Sequence, residues 1–308
     1  MIDFVAFNLI LDDIVFPDGR TAMGELGGGG AQTALGMRLW SDSVGLVASV
    51  GPDFPVTWWE WLEAWGIDTQ GVRKEDAPSL RAWQLLEPDG HRTQIWRVPQ
   101  EALATHLARR LEWLPVSYRQ ARGYHLGVHP LEEKGDFIKE LRNLGGKISL
   151  EPFKPADRLP DPKALQRLVS LADIFSPNLE EAISLVGPGE PSDLVVRLLD
   201  AGAPIVALRM GAQGALIGQQ GLDHLIFVPP VPVEVVDPIG AGNAFCGGFL
   251  VGWVESGDLV EAGLRGAVSA SFLVTQVGLP RIGLAVALQV AQERLQRLRH
   301  QVTTLPLG

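Results

Sequence analysis

The stretch DPIGAGNAF, residues 237–245, sets three nearly side-chain-free positions, Gly240, Ala241 and Gly242, just ahead of an apolar run, CGGFLVGWV, that reads as a helix. With a helix start near Gly240, the backbone N–H groups of Gly240, Ala241, Gly242 and Asn243 have no carbonyl partners at the positive helix end. Small residues there let an oxyanion come close. The alternative reading is structural, because glycines also permit tight turns and close helix packing, a role open to Gly247, Gly248 and Gly252. The preceding VPVEVV, residues 231–236, reads as a strand, which predicts strand, turn and helix in succession. No G-x-x-x-x-G-K-[ST] loop occurs, so the chain is not a P-loop protein.

Outward from this stretch, short apolar runs alternate with helix-length amphipathic ones. The strand-like runs are DFVAFNLIL, SVGLVASVG, GYHLGV, KISLE, ADIFSPN and PIVALRMG; the helical ones include TALGMRLW, VTWWEWLEAWG, EKGDFIKELRNLGG and PSDLVVRLLDAGA. This rhythm predicts an α/β fold, with a mostly parallel sheet covered by helices on both faces. Residues 80–97 break it, reading as two strands around a turn at Asp89-Gly90. Trp58, Trp61 and Trp65 share helical spacing with Leu62 and are expected to pack in the core. No repeat, charge block or Gly/Ser linker divides the chain, so a single domain over 1–308 is expected.

The 308 residues are ample for a large core, and 46% hydrophobic with 20% charged content is globular. A formal net charge of −10 argues against nucleic acid or an anionic membrane as partner, leaving a small molecule. Cys246 is the only cysteine, so no internal disulfide forms and a reducing cytoplasm is expected. The opening MIDFVAFNLIL lacks a basic leader and a cleavage site and reads as a first strand. No run reaches the roughly 18 apolar residues of a membrane helix. The six histidines do not suggest a zinc site, and no G-x-S-x-G elbow supports a hydrolase.

Residues 237–249 resemble the C-terminal signature of the ribokinase-like (PfkB) carbohydrate kinases, Asp-Thr-x-Gly-Ala-Gly-Asp-Ala-Phe-x-Gly-Gly. GGGGAQTA at 27–34 resembles the family's Gly-Gly-x-x-x-Asn-x-Ala segment, and GPD through GIDT at 51–69 resembles the family's next segment. SPNLEEA carries the Asn-x-x-Glu pattern at Asn178 and Glu181, and LRMGAQGALI at 208–217 is similar to the nucleotide-binding segment. The resemblance spans essentially the whole chain. It implies a ribokinase-like, doubly wound α/β fold with a small β-lid from approximately 10–22 and 79–98, and ligands at the C-terminal strand ends. It further implies ATP and Mg²⁺ as cofactors, a monovalent-cation site near the 237 loop and 274–283, and a homodimer through the lid.

By the same resemblance, Gly240, Ala241 and Gly242 stabilise the transferring phosphoryl group. Asp12, Gly28, Gly29 and Gln32 hold the acceptor, Asn178 and Glu181 organise Mg²⁺ and phosphate, and Arg209, Gly211 and Gly214 border the nucleotide. The residues themselves leave other readings open. Asn178 and Glu181 form a capping-box pattern, Asp12 has an acidic neighbour in Asp13, and Arg209 could serve an exposed ion pair. Asn243 stands where the family has its general base, and an amide takes up no proton at neutral pH. Such a base contributes about 10²–10⁴ in rate, so activity is expected to be attenuated and Asn243→Asp to be faster by that factor. Other departures are Phe7 for a glycine, Gln32 for an asparagine, and SLEPFKPADR for Asp-x-Asn-x-Arg, where Glu151 keeps an acid and Phe153 replaces the asparagine. The expected activity is ATP-dependent phosphorylation of a hydroxyl on a sugar, polyol, nucleoside or related metabolite. The rival is a non-catalytic nucleotide or sugar sensor, which accounts for Asn243 directly.

Overall fold

The computed structural model describes residues 1–88, 92–133 and 135–307. The first half of the chain forms β1 (Phe4–Phe7), β2 (Ile10–Val15), β3 (Thr21–Gly27), α1 (Gly28–Arg38), β4 (Val44–Val50), α2 (Val56–Ala64), β5 (Asp68–Lys74), β6 (Arg81–Leu86), β7 (Arg92–Trp96), α3 (Gln100–Leu107), β8 (Gly123–Val128), α4 (Asp136–Asn143) and β9 (Lys147–Pro152). It continues through α5 (Pro162–Val169), β10 (Ile174–Phe175), α6 (Leu179–Val186), α7 (Pro191–Asp200), β11 (Ile205–Arg209), β12 (Ala215–Gln219), β13 (His224–Val228), α8 (Ala241–Ser256), α9 (Leu259–Val274), α10 (Leu284–Arg299) and β14 (Thr303–Pro306).

Ten strands form one sheet in the order β14-β13-β12-β11-β10-β9-β8-β1-β4-β5. From β11 to β5 every neighbour is parallel, while β12, β13 and β14 add an antiparallel flank. This is a ribokinase-like α/β fold, with helices on both faces. The period of two in each strand divides the core. Phe4 and Ala6 of β1 join α1, α2, α8, α9 and α10 on one face, while Val5 and Phe7 join α4 to α7 on the other. Tyr124 and Leu126 of β8, and Ile148 and Leu150 of β9, also enter the second core. Their alternates His125, Ser149 and Glu151 therefore project toward the α1 and α8 side.

A separate four-stranded sheet runs β3-β2-β6-β7, with β2 parallel to β6 and the other pairs antiparallel. It draws on residues 10–27 as well as 81–96. The Asp89-Gly90 turn lies outside the described residues. Trp65 is buried, and Trp61 stacks on it with ring centroids 4.9 Å apart. The Trp58 and Trp61 indoles donate to the carbonyls of Gly24 and Pro280, both at 2.8 Å, so Trp58, Trp61 and Trp65 all serve packing.

One local expectation fails. Residues 231–236 form no strand; they run as a loop in which Val236 N–H reaches the Val274 carbonyl at 2.7 Å. Pro229, Pro230 and Pro232 supply no backbone donors, and a strand cannot be laddered without them.

Candidate active site

Gly240 has φ +79° and precedes α8; a Cβ there would collide with the Gln32 side chain as well as strain the backbone. The turn thus brings Gln32, buried in α1, against the start of α8. Gly242 sits in the first turn, and a Cβ on it would strike Nη1 of Arg209. Gly29 approaches the Asn243 side chain, a Cβ there coming within 3.5 Å of Nδ2. Helix geometry leaves the first-turn N–H groups of α8 without intrahelical acceptors. Small residues on both sides keep that end of the helix open to an anion.

Behind this turn lies a buried polar network. The Asn243 amide nitrogen donates to Glu151 Oε1, and His125 Nε2 meets the same oxygen at 3.2 Å. Arg209 Nη1 lies 3.0 Å from Glu151 Oε2, and the Cys246 thiol donates to that oxygen at 3.6 Å. Arg209 Nη2 also donates to the Ser176 carbonyl at 2.8 Å and to Glu181 Oε2 at 3.2 Å. Arg209 is therefore part of a buried ion-pair network, and the exposed-pair alternative is excluded. Burial acts to raise the Glu151 pKa but is outweighed by Arg209, then His125 and Asn243, which bring it down to about 2. Burial raises Glu181 to about 7 and the Glu151 charge adds to the rise, outweighing the pull of Arg209 and of the Asn178 N–H. Burial likewise pushes the Cys246 thiol up.

The atoms of His125, Glu151 and Cys246 lie within 4.8 Å of one another, a spacing a metal could use. Glu151 already accepts from four donors, one of them a guanidinium, so this set suits a hydrogen-bonded network rather than a cation. Asn178 and Glu181 form the capping box in full: Glu181 N–H donates to Asn178 Oδ1 at 2.8 Å, and Asn178 N–H donates to Glu181 Oε2 at 2.7 Å.

Asp12 stands apart on β2, buried beside Gly27, where a Cβ would collide with its carboxylate. The Gln84 amide donates to it at 2.7 Å, yet burial dominates and raises its pKa to about 7. Its neighbour Asp13 does different work: Arg81 donates to it at 2.7 and 2.8 Å, with Arg97 beside them, and it ties β2 to β6 and β7. Gly28, with φ +78°, opens α1 next to Ile10. Gly211 and Gly214 lie on the β11–β12 connection beyond Arg209, with φ +59° and +91°; Gly214 packs against the Val228 carbonyl, and neither meets the α8 turn.

The network's other members, His125 and Cys246, carried no motif. Their signal was parity: His125 and Glu151 are the polar alternates in two otherwise apolar strands that prove to be neighbours. Phe7 is buried against Phe137, and Phe153 is exposed; neither enters this network.

Known proteins resemble this chain in sequence and in fold. Residues 1–281 match the pfkB family carbohydrate kinases. The chain belongs to the PfkB family. This PfkB-family chain is 28% identical over 266 residues to a cytidine kinase of Thermococcus kodakarensis, covering 85% of this chain and 92% of that one. It is 28% identical over 302 residues to a nucleoside kinase of Methanothermobacter thermautotrophicus, covering 93% and 94%. An Escherichia coli protein described as a ribokinase II, solved with ATP and Mg²⁺, superposes with TM-score 0.73 at 20% identity, covering 96% of this chain and 100% of that one. The PfkB fold contains no helix, among the described residues, long and apolar enough to cross a membrane.

Proposed function

We propose that the chain transfers the γ-phosphoryl group of ATP to a hydroxyl on a nucleoside, sugar, polyol or related metabolite, at an attenuated rate. The observation that carries this reading is the open first turn of α8, with small residues at Gly240 to Gly242, Asn243 beside Gly29, and Arg209 behind Gly242. The nucleoside kinases among its relatives favour a nucleoside acceptor.

Asp12 and Gln32 hold the acceptor, with Gly28 and Gly29 allowing its approach. The acceptor oxygen bonds to the γ-phosphorus as the bond to the bridging oxygen of ADP breaks. First-turn amides of α8 and the guanidinium of Arg209 meet the charge on the phosphoryl oxygens. Asn243 orients the hydroxyl, whose proton leaves to a phosphoryl oxygen or water. Gly211 and Gly214 leave two positions of the β11–β12 connection without side chains where the nucleotide would lie.

Mg²⁺ bound with ATP neutralises charge on the phosphate oxygens. Glu181 fits that role through the capping box it also makes: Oε2 is engaged by Asn178 and Arg209, while Oε1 has no bond among the described residues. Asp237 suits a monovalent cation in the same way. Its Oδ1 accepts from Ile239 N–H at 2.9 Å, and its Oδ2 is buried without a partner among the described residues. The outer strands β3 and β7 of the four-stranded sheet offer edges through which a homodimer could pair.

Acceptor-dependent ADP release with Mg·ATP, over a panel of nucleosides, sugars and polyols, tests the reading. The specific observation favouring a sensor is that Asn243 takes no proton and Glu151 is saturated with donors. Binding of nucleotide and acceptor without turnover across the panel would establish that alternative.

A further inference from the structure

We propose that Glu151 and Asn243 are a matched pair sharing a single negative charge, with Glu151 acting as the positioning residue that sets the orientation of the Asn243 amide. This rests on the kinase reading only for its effect on turnover. A carboxylate oxygen only accepts hydrogen bonds, so the amide edge that faces Glu151 Oε1 is the NH₂. Asn243 Oδ1 is then the free edge, bonded by no described residue, and is the atom that receives a bond from the acceptor hydroxyl.

Glu151 is itself held in one pose. Oε1 is fixed by His125 and Asn243, Oε2 by Arg209 and Cys246, and its donors come from β8, β11 and α8. Every lone-pair direction is occupied, so Glu151 holds the amide rather than accepting the substrate's proton.

An acid at position 243 meets Glu151 at hydrogen-bond distance. Two carboxylates so placed cannot both ionise near neutrality, and one retains a proton. Restoring the acid alone therefore does not give an ionised base at neutral pH, and the increase of about 10²–10⁴ expected from sequence requires position 151 to be neutral as well.

The test compares four chains: the parent, Asn243→Asp, Glu151→Gln, and Glu151→Gln with Asn243→Asp. Thermal midpoints are followed from about pH 5 to about pH 9, spanning the raised carboxyl. Asn243→Asp already trails the parent near pH 5, above the unfolded pKa of about 3.9, and falls further behind as pH rises, because the folded pair keeps a proton that the unfolded chain releases. In the double variant that growing deficit disappears. Turnover of Asn243→Asp rises toward alkaline pH, and the double variant exceeds the parent at neutral pH by about 10²–10⁴.

Parallel midpoint curves for the parent and Asn243→Asp would overturn the pairing, as would a double variant that keeps the pH-dependent deficit. If the double variant does not fold, the comparison of the parent with Asn243→Asp still decides. A panel in which no chain turns over sinks the kinase reading instead, while the stability curves test the pairing separately.

Discussion

Replacing Asp12 by Asn changes how stability depends on pH. In the folded chain Asp12 is buried, and burial raises its pKa from 3.8 to about 7. The unfolded chain ionises near the lower value, so between about pH 4 and about pH 7 the folded state holds a proton that the unfolded state has released. Stability from this group falls as pH rises through that window and levels off above it. About three units at 1.36 kcal/mol each place the cost on the order of 4 kcal/mol above pH 7. Asn is the neutral mimic of the protonated acid: its oxygen still accepts from Gln84, and its NH₂ stands where the acid's O–H would. Asp12→Asn should therefore unfold at similar urea concentrations to the parent near pH 4 and at clearly higher ones near pH 8. Glu181, also titrating near 7, is common to both chains and cancels in the difference. Parallel stability curves for the two chains would refute the assignment of the slope to Asp12.

Arg209→Leu leaves Glu151 and Glu181 buried without their cation. We expect a loss of about 3–5 kcal/mol at pH 8, shrinking toward pH 5 as both carboxyls take up protons, measured by urea unfolding. Gly242→Ala drives a methyl into Arg209 Nη1 and displaces the α8 turn; kcat should fall by about 10²-fold or more with the circular dichroism unchanged. Chelation of Mg²⁺ by EDTA should abolish acceptor-dependent ADP release, and added Mg²⁺ should restore it with no change in thermal midpoint for the free chain.

Local features of this site were legible because their causes are local. The open start of α8 follows from Gly240, Ala241 and Gly242 lying together in the chain, and the cap of α6 from Asn178 and Glu181 three residues apart. The strands within 81–96 were legible from the Asp89-Gly90 pair that separates them in the sequence. Glu151 was visible only as an acid in an altered segment, because its partners come from three other elements, with Asn243 92 positions away. The pairing of β8 with β9 sets His125 beside Ser149 and on the face toward α8, and such register follows from the whole sheet rather than either strand. The ion pairs of Arg209 were not legible, and an exposed pair was the alternative reading, since nothing near it in the chain shows that two buried carboxyls converge on it. The loop at 231–236 misled for the opposite reason. Its β-branched residues suggested a strand, and the prolines around them prevented one.

Helix α8 presses against α1 and α9 at three glycines that put no side chain of its own between. A Cβ at Gly247 would strike the Thr33 carbonyl of α1, one at Gly248 would strike Ser269 and the Arg265 carbonyl of α9, and one at Gly252 would meet the Ala262 backbone. At these glycines the helix has no compressible layer to absorb a change in volume, while Phe245, Phe249, Leu250 and Val251 fill the core elsewhere along it. Mechanically it is a strut with no play, and an added methyl near its far end must move the strut as a unit. The turn proposed to meet the phosphoryl group lies at the other end of that strut. Substitutions three turns away, touching no ligand, would therefore register as misalignment of Asn243, and the positions most restrictive for function in this helix include ones that never face the substrate.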